Sequence, residues 1–223
     1  RYPTAGGDNV SEAQPFFTAN PVNISLAHNG TLTNSEKLKE ELIRINFCQF
    51  NTNSDSEVLL KQFCYELYKT NFRKLTKTHV YKALNKVFQK CSGGYAVVMI
   101  VAGIGLVAFR DPKGIRPLSL GEYKNSYLIA SESSAITAMG YDLESDIKPG
   151  QVVIIDEQGN IDKKRPIKGS TNQPCLFEYV YFSRPDSTID EISVHKSRLR
   201  MGDFLGEKIL RDFKDLEVDV VIP

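Results

Sequence analysis

Three features of this chain have chemistry to offer: an Asn-Gly pair, an acid at a helix start and an arginine on a stiff loop. His28-Asn29-Gly30 ends a stretch that alternates apolar and polar residues, with Ile24, Leu26 and His28 on one side. Asn29 offers a side-chain NH₂ and Gly30 a backbone N–H that a substrate can approach closely, a pairing suited to an oxyanion hole. The same dipeptide is also a common hairpin turn, although a helix signal rather than a second strand follows it. Ser54-Asp55-Ser56-Glu57 reads as a capping box. Capping accounts for Ser54 and Glu57 but does not require Asp55, whose carboxylate beside a cleft would hold an ammonium. Arg1, on the Pro-containing loop Arg1–Gly6, suits two-pronged capture of a carboxylate and equally suits a plain surface position.

Other chemistries find less support. Gly103-Ile104-Gly105-Leu106-Val107-Ala108 fits a dinucleotide fingerprint, but that fingerprint must open a helix, and the residues after it look β-like. A hairpin turn is expected there instead. No nucleophile elbow is present, and His28, His79 and His195 share no metal-ligand spacing.

The elements that must position these residues are legible in outline. Strands are expected at Val22–His28, Tyr95–Val101, Leu106–Phe109, Tyr127–Ser131 and Val152–Asp156. Helices are expected from about Asn34 with Thr33 and Glu36 as a capping box, from Ser54 to about Tyr68, over Thr78–Gln89 and, briefly, over Ser133–Met139. Short strands joined by turns argue for antiparallel sheet. A linker-like stretch, Lys163–Pro174, precedes an expected strand at Leu176–Phe182, a loop, a long helix at about Ser193–Phe213 and a strand at Val218–Ile222. That tail has the order of a parallel α/β domain.

With 223 residues, 41% apolar and 25% charged, the chain can build a core. Its 28 basic and 27 acidic residues give a net charge of +1, so no basic field points to nucleic acid. The longest apolar stretch, Tyr95–Phe109, is shorter than the ~20 residues a spanning helix needs, so no membrane association is expected. Cys48, Cys64, Cys91 and Cys175 form no C-x-x-C pair, and a reducing cytoplasm is expected. The chain begins at Arg1 rather than Met and ends after an apolar run, and both ends are expected to be cuts within a longer protein.

RYPTAG, SEAQPF, LAHNGTLTN and SDSEVLL occur in that order, followed by FRDPKGIRPL, ASESSA, IKPGQVVIID and FEYVYFSRPDS. The set resembles the glutamine phosphoribosylpyrophosphate amidotransferase family from Arg1 to Pro223, and the DPKGIRPL and YFSRPDS runs favour it over other class II glutamine amidotransferases. The resemblance implies an α+β fold. An N-terminal-nucleophile αββα sandwich over residues 1–166, lacking its first strand and its nucleophile, is followed at 167–223 by a linker and the start of an α/β phosphoribosyltransferase domain.

It further implies that an N-terminal Cys upstream of Arg1 attacks the glutamine amide, with Asn29 and Gly30 as oxyanion donors. Arg1 would pair with the glutamine carboxylate and Asp55 with its ammonium, while Thr4 and Gly6 would shape the pocket. The ammonia would convert phosphoribosyl diphosphate to 5-phosphoribosylamine, the first committed step of purine nucleotide synthesis. The fragment alone is expected to be inactive. Mg²⁺ would bind with phosphoribosyl diphosphate beyond Pro223. No iron–sulfur cluster is expected, since Cys175 alone matches a ligand position. A homodimer or homotetramer is implied. The alternatives are the glutaminase part of another class II amidotransferase and a nucleophile-free glutamine-binding or regulatory module.

Overall fold

A computed structural model describes residues 10–46, 48–214 and 217–222. At its centre is an antiparallel sheet of six strands in the order β1 (Phe16–Thr18), β2 (Ile24–Leu32), β3 (Gly93–Val101), β4 (Gly105–Arg110), β8 (Val152–Ile155) and β9 (Ile161–Lys164). A smaller sheet is ordered β6 (Ser126–Ala130), β5 (Ser119–Tyr123) and β7 (Asp142–Asp146).

The alternation of side chains sorts the layers. Ile24, Leu26, Val97, Met99, Val107, Phe109, Val152 and Ile154 belong to one core with helices α1 (Ser35–Asn46), α2 (Asp55–Tyr68) and α3 (Lys77–Lys90). Ala96, Ala108 and Val153, the intervening residues, pack instead with Leu118, Leu120 and Ile147 of the smaller sheet's side. Helix α4 (Ser133–Ala138) covers that sheet's outer face, where any Cβ on Gly121 would collide with Ile136. The result is the expected four-layer αββα order. Both faces of the central sheet are buried, each large side chain contributing about 1.5–3 kcal/mol.

Helices α2 and α3 form where their apolar spacing predicts, and Ser54 caps α2 by accepting the Ser56 amide at 3.3 Å. The capping box is only half formed. Glu57 reaches the Asn51 and Thr52 amides instead of closing on Ser54. At α1, Asn34 gives its side chain to the Lys90 carbonyl and the Ser92 amide, tying that helix start to the end of α3. The β3–β4 hairpin turns at 102–104, so the glycine-rich run opens no helix.

The tail departs most from expectation. Leu176–Phe182 is not a strand. Glu178–Phe182 is a π-helical turn, closed by the Ser183 amide donating to the Glu178 carbonyl at 3.1 Å. Its Glu178 side chain is buried, which an alternating strand of this composition would not require. A hairpin of β10 (Thr188–Ile189) and β11 (Ile192–Ser193) follows, then α5 (Val194–Asp212), capped by Ser193. No strand forms among the described residues 217–222, so the expected strand at Val218–Ile222 is not found. The linker-like stretch begins inside β9 and then lies along the 112–115 turn, with the Thr171, Gln173 and Cys175 amides donating to Pro112, Lys113 and Ile115 carbonyls. Among the described residues no helix is long and apolar enough to cross a membrane.

Candidate active site

Asn29 and Gly30 lie inside β2, not in a turn after it. The β2–β3 register runs without a break from Ile24↔Val101 to Leu32↔Gly93. Gly30 has φ +143°, and a Cβ there would collide with the Gly94 carbonyl oxygen and come within 2.8 Å of Tyr95 Cα. A glycine is therefore required by close strand approach.

The ladder fixes where the Gly30 amide points. Its register partner Tyr95 gives both polar backbone groups to Asp111, donating to Oδ2 at 3.2 Å and accepting the Asp111 amide at 2.8 Å. Gly30 therefore turns its amide to the opposite edge of β2. His28, two residues earlier, confirms this sense: its amide donates to Gln14 Oε1 at 2.6 Å and its carbonyl accepts Gln14 Nε2 at 2.9 Å. The Leu32 amide, two residues later, donates to Asp55 Oδ2 at 2.8 Å. Asp55 and the Gly30 amide thus share one strand edge. Two residues of strand span about 7 Å, which separates the Gly30 amide from the Leu32 amide that Asp55 holds.

Asp55 sits in the first turn of α2, fully buried, with Oδ1 3.9 Å from His28 Nδ1. A carboxylate there is favoured by the helix dipole. His28 Nδ1 is 3.0 Å from Ser56 Oγ, and Gln14 Nε2 donates to the same hydroxyl at 3.3 Å. Gln14, His28, Ser56 and Asp55 form one polar cluster beneath the strand on its helix-facing side.

The Asn29 side chain emerges on the other face. Its Nδ2 donates to Ser131 Oγ at 3.1 Å, and its Oδ1 accepts Arg116 Nη2 at 2.8 Å. Arg116 also pairs with the buried Glu178 of the π-helical turn. Asp111 aims Arg116 by accepting the amides of Lys113, Ile115 and Arg116 at 3.0–3.1 Å, besides that of Tyr95. Gln14, Ser56, Ser131, Arg116 and Glu178 were not singled out from sequence. All five lie in runs that carry the resemblance, but contacts across up to 102 positions leave no local signal.

Arg1, Thr4 and Gly6 lie outside the described residues. The buried thiols of Cys64 and Cys91 are poor nucleophiles. Burial pushes Cys64 and Cys91 up to about 12 and raises Cys48. A thiol that titrates near 12 is neutral at pH 7 and does not attack. Among the described residues no three His, Cys, Asp or Glu side chains gather to hold a metal. A cavity of about 640 Å³ lined by Thr18, Cys48, Lys61, Cys64 and Tyr65 shares no residue with this site.

Comparison with known proteins adds independent findings. The family described as "Glutamine amidotransferase domain" matches residues 5–138. An amidophosphoribosyltransferase of Pseudomonas aeruginosa is 47% identical over all of this chain and 45% of its own length. One from Saccharomyces cerevisiae is 46% identical over the same shares. The chain therefore spans about 45% of the length of these curated relatives. A solved structure of glutamine phosphoribosylpyrophosphate amidotransferase from B. subtilis, complexed with ADP and GMP, superposes with a TM-score of 0.78 at 31% identity. It covers 93% of this chain and 43% of that one.

Proposed function

The chain belongs to the glutamine amidotransferase domain family, and from that premise we propose that it is the glutamine-hydrolysing part of an amidophosphoribosyltransferase. The observation that supports the reading is the shared edge of β2, where the Asp55 carboxylate accepts the Leu32 amide two residues along from Gly30. Asp55 takes the substrate ammonium. Arg1 takes the carboxylate, with Thr4 and Gly6 closing the pocket. The side-chain carbonyl then reaches Gly30 and Asn29.

A cysteine thiolate, contributed by sequence ahead of Arg1, attacks the glutamine Cδ. The carbonyl electron pair moves to oxygen, and the Gly30 N–H and Asn29 Nδ2–H stabilise that charge. The cysteine's own α-amine carries the thiol proton to the leaving nitrogen. Ammonia departs, leaving a thioester that water hydrolyses to glutamate. Each oxyanion donor in comparable sites contributes about 10²–10³ in kcat. In the whole protein the ammonia displaces pyrophosphate from phosphoribosyl diphosphate, giving 5-phosphoribosylamine for purine synthesis. On the same premise the whole protein is a cytoplasmic homo-oligomer, and its phosphoribosyl diphosphate carries Mg²⁺.

Replacing Asp55 tests the reading in the full-length gene product. Asp55→Ala is expected to raise the KM for glutamine about thirtyfold or more, the cost of removing one partner from a buried charge pair. Activity with free ammonia is expected to persist. Equal loss of glutamine- and ammonia-dependent activity would remove Asp55 from the glutamine site.

A further inference from the structure

We propose that Arg116 is a positioning residue that locks the Asn29 amide in its donating orientation, with Glu178 anchoring the guanidinium. The inference rests on the reading of Asn29 as an oxyanion donor and adds what that reading lacks, a reason for the amide to face the right way.

An Asn side chain has two nearly isosteric ends, and a half-turn exchanges the donor for an acceptor. A flipped Asn29 would present carbonyl lone pairs to the developing oxyanion. Ser131 does not discriminate between the two orientations, because a hydroxyl both donates and accepts. Arg116 does discriminate. A guanidinium only donates, so its 2.8 Å contact from Nη2 selects the Asn29 oxygen and leaves the Asn29 NH₂ facing elsewhere.

Both ends of Arg116 are held. At the backbone, its amide donates to Asp111 Oδ2 at 3.1 Å and its carbonyl accepts Arg110 Nε at 2.6 Å. At the far end, its second nitrogen pairs with Glu178 Oε1, and the guanidinium lies 5.9 Å from the Phe182 ring centroid. Glu178 is only 3% exposed, and its Oε2 accepts the Ser183 hydroxyl at 2.8 Å. A carboxylate buried so deeply demands a cation, so Glu178 and Arg116 hold each other. A lysine at this position lacks the planar fork and cannot span both partners in the same geometry.

The anchoring carboxylate sits on a π-helical turn, a feature that recurs at functional sites. The orientation of one catalytic amide is thereby tied to a segment about 150 positions further along the chain.

Steady-state glutamine hydrolysis by the full-length protein tests the proposal through a double-mutant cycle. Arg116→Met is expected to lower kcat on the order of ten- to hundredfold, less than deleting an oxyanion donor outright, with KM within about threefold. In an Asn29→Ala background the same change is expected to cost less than about threefold, because its partner is already gone. Glu178→Gln, which keeps the shape, is expected to lower kcat by a smaller factor with the same pattern. Arg116→Lys is expected not to restore kcat, whereas a role as a mere positive charge would be restored.

Unchanged kcat in Arg116→Met, or a full multiplicative loss on top of Asn29→Ala, would overturn the proposal. If Arg116→Met does not fold, the Glu178→Gln and Asn29→Ala cycle decides the matter by the same criterion. If Asn29→Ala itself keeps full turnover, the oxyanion reading fails. If Asn29→Ala loses turnover and Arg116→Met does not, the positioning role alone fails.

Discussion

The layers from β1 to β9 bury Leu26, Leu84, Met99 and Phe109 almost completely, whereas the described segment from Cys175 to Asp212 gathers a small cluster of Tyr179, Ile189 and Val194. The sandwich is held by non-directional apolar burial over both faces of one sheet. The tail is joined to it largely by directional polar contacts. Arg110 and Asp190 meet through two bonds of 2.8 and 2.9 Å, Arg116 meets Glu178, and Asp146 accepts the Asp190 amide at 2.7 Å. Glu132 takes the Arg184 amide and the Ser187 hydroxyl, and the Ser133 hydroxyl takes the Thr188 amide. Leu199, Phe204, Leu205 and Leu210 of α5 remain exposed. Packing of the first kind tolerates small displacements. Contacts of the second kind depend on distance and angle, so each is lost once its geometry is lost.

The largest expected effect on this contrast comes from the charge at Asp190. Arg110 is 1% exposed, and its other partners are the carbonyls of Gly114, Arg116 and Ile147. Asp190→Asn keeps the side-chain shape and suits the positive φ of 48° at that position. It leaves the Arg110 charge without its carboxylate, at a cost near the lower end of about 3–5 kcal/mol. Hydrogen exchange is expected to show the loss concentrated in residues 176–212, with β2, β3 and β4 still protected. Uniform loss across the sandwich would break the distinction between the two regions.

A smaller effect is expected inside the sandwich, where charge plays a local part. Asp156 holds the β8–β9 turn by accepting the Gln158 and Asn160 amides, and Lys77 of α3 donates to it at 2.8 Å. The bond from Lys77 lowers its pKa to about 2. A carboxylate depressed in the folded state contributes stability above its unfolded pKa of ~3.9 and loses it as pH falls through the folded value. Asp156→Asn is therefore expected to lower the Tm at pH 6 and to converge with the parent protein as pH approaches 2. A pH-independent difference in Tm would mean that shape rather than charge holds the turn.

The central strands were legible because Tyr95–Val101 and Val152–Ile155 are apolar on successive positions, as burial on both faces requires. Helices α2 and α3 were legible from the spacing of Leu59, Phe63 and Leu67 and of Val80, Leu84 and Val87. Strand β7 was not, since Asp142-Leu143-Glu144-Ser145-Asp146 is acidic and largely exposed at a sheet edge. Tyr179-Val180-Tyr181-Phe182 has strand composition, yet the partner of the preceding Glu178 is an arginine 62 positions away in sequence. Local propensity has no access to that contact. At the site, the chemistry of Asn29, Gly30 and Asp55 was legible from residue type. Their arrangement was not, because the turn reading of Asn29-Gly30 yields only when β3 is seen to pair through it. Arg1 stood out by residue type and its role came from the resemblance, Thr4 and Gly6 came from the resemblance alone, and all three lie outside the described residues.

An oxyanion donor at Asn29 would act at the transition state rather than in binding. The direct measurement is kcat and KM for glutamine hydrolysis by the full-length Asn29→Ala protein. The expected result is a fall in kcat of about 10²–10³ with KM little changed. An unchanged kcat, or a loss confined to KM, would contradict it.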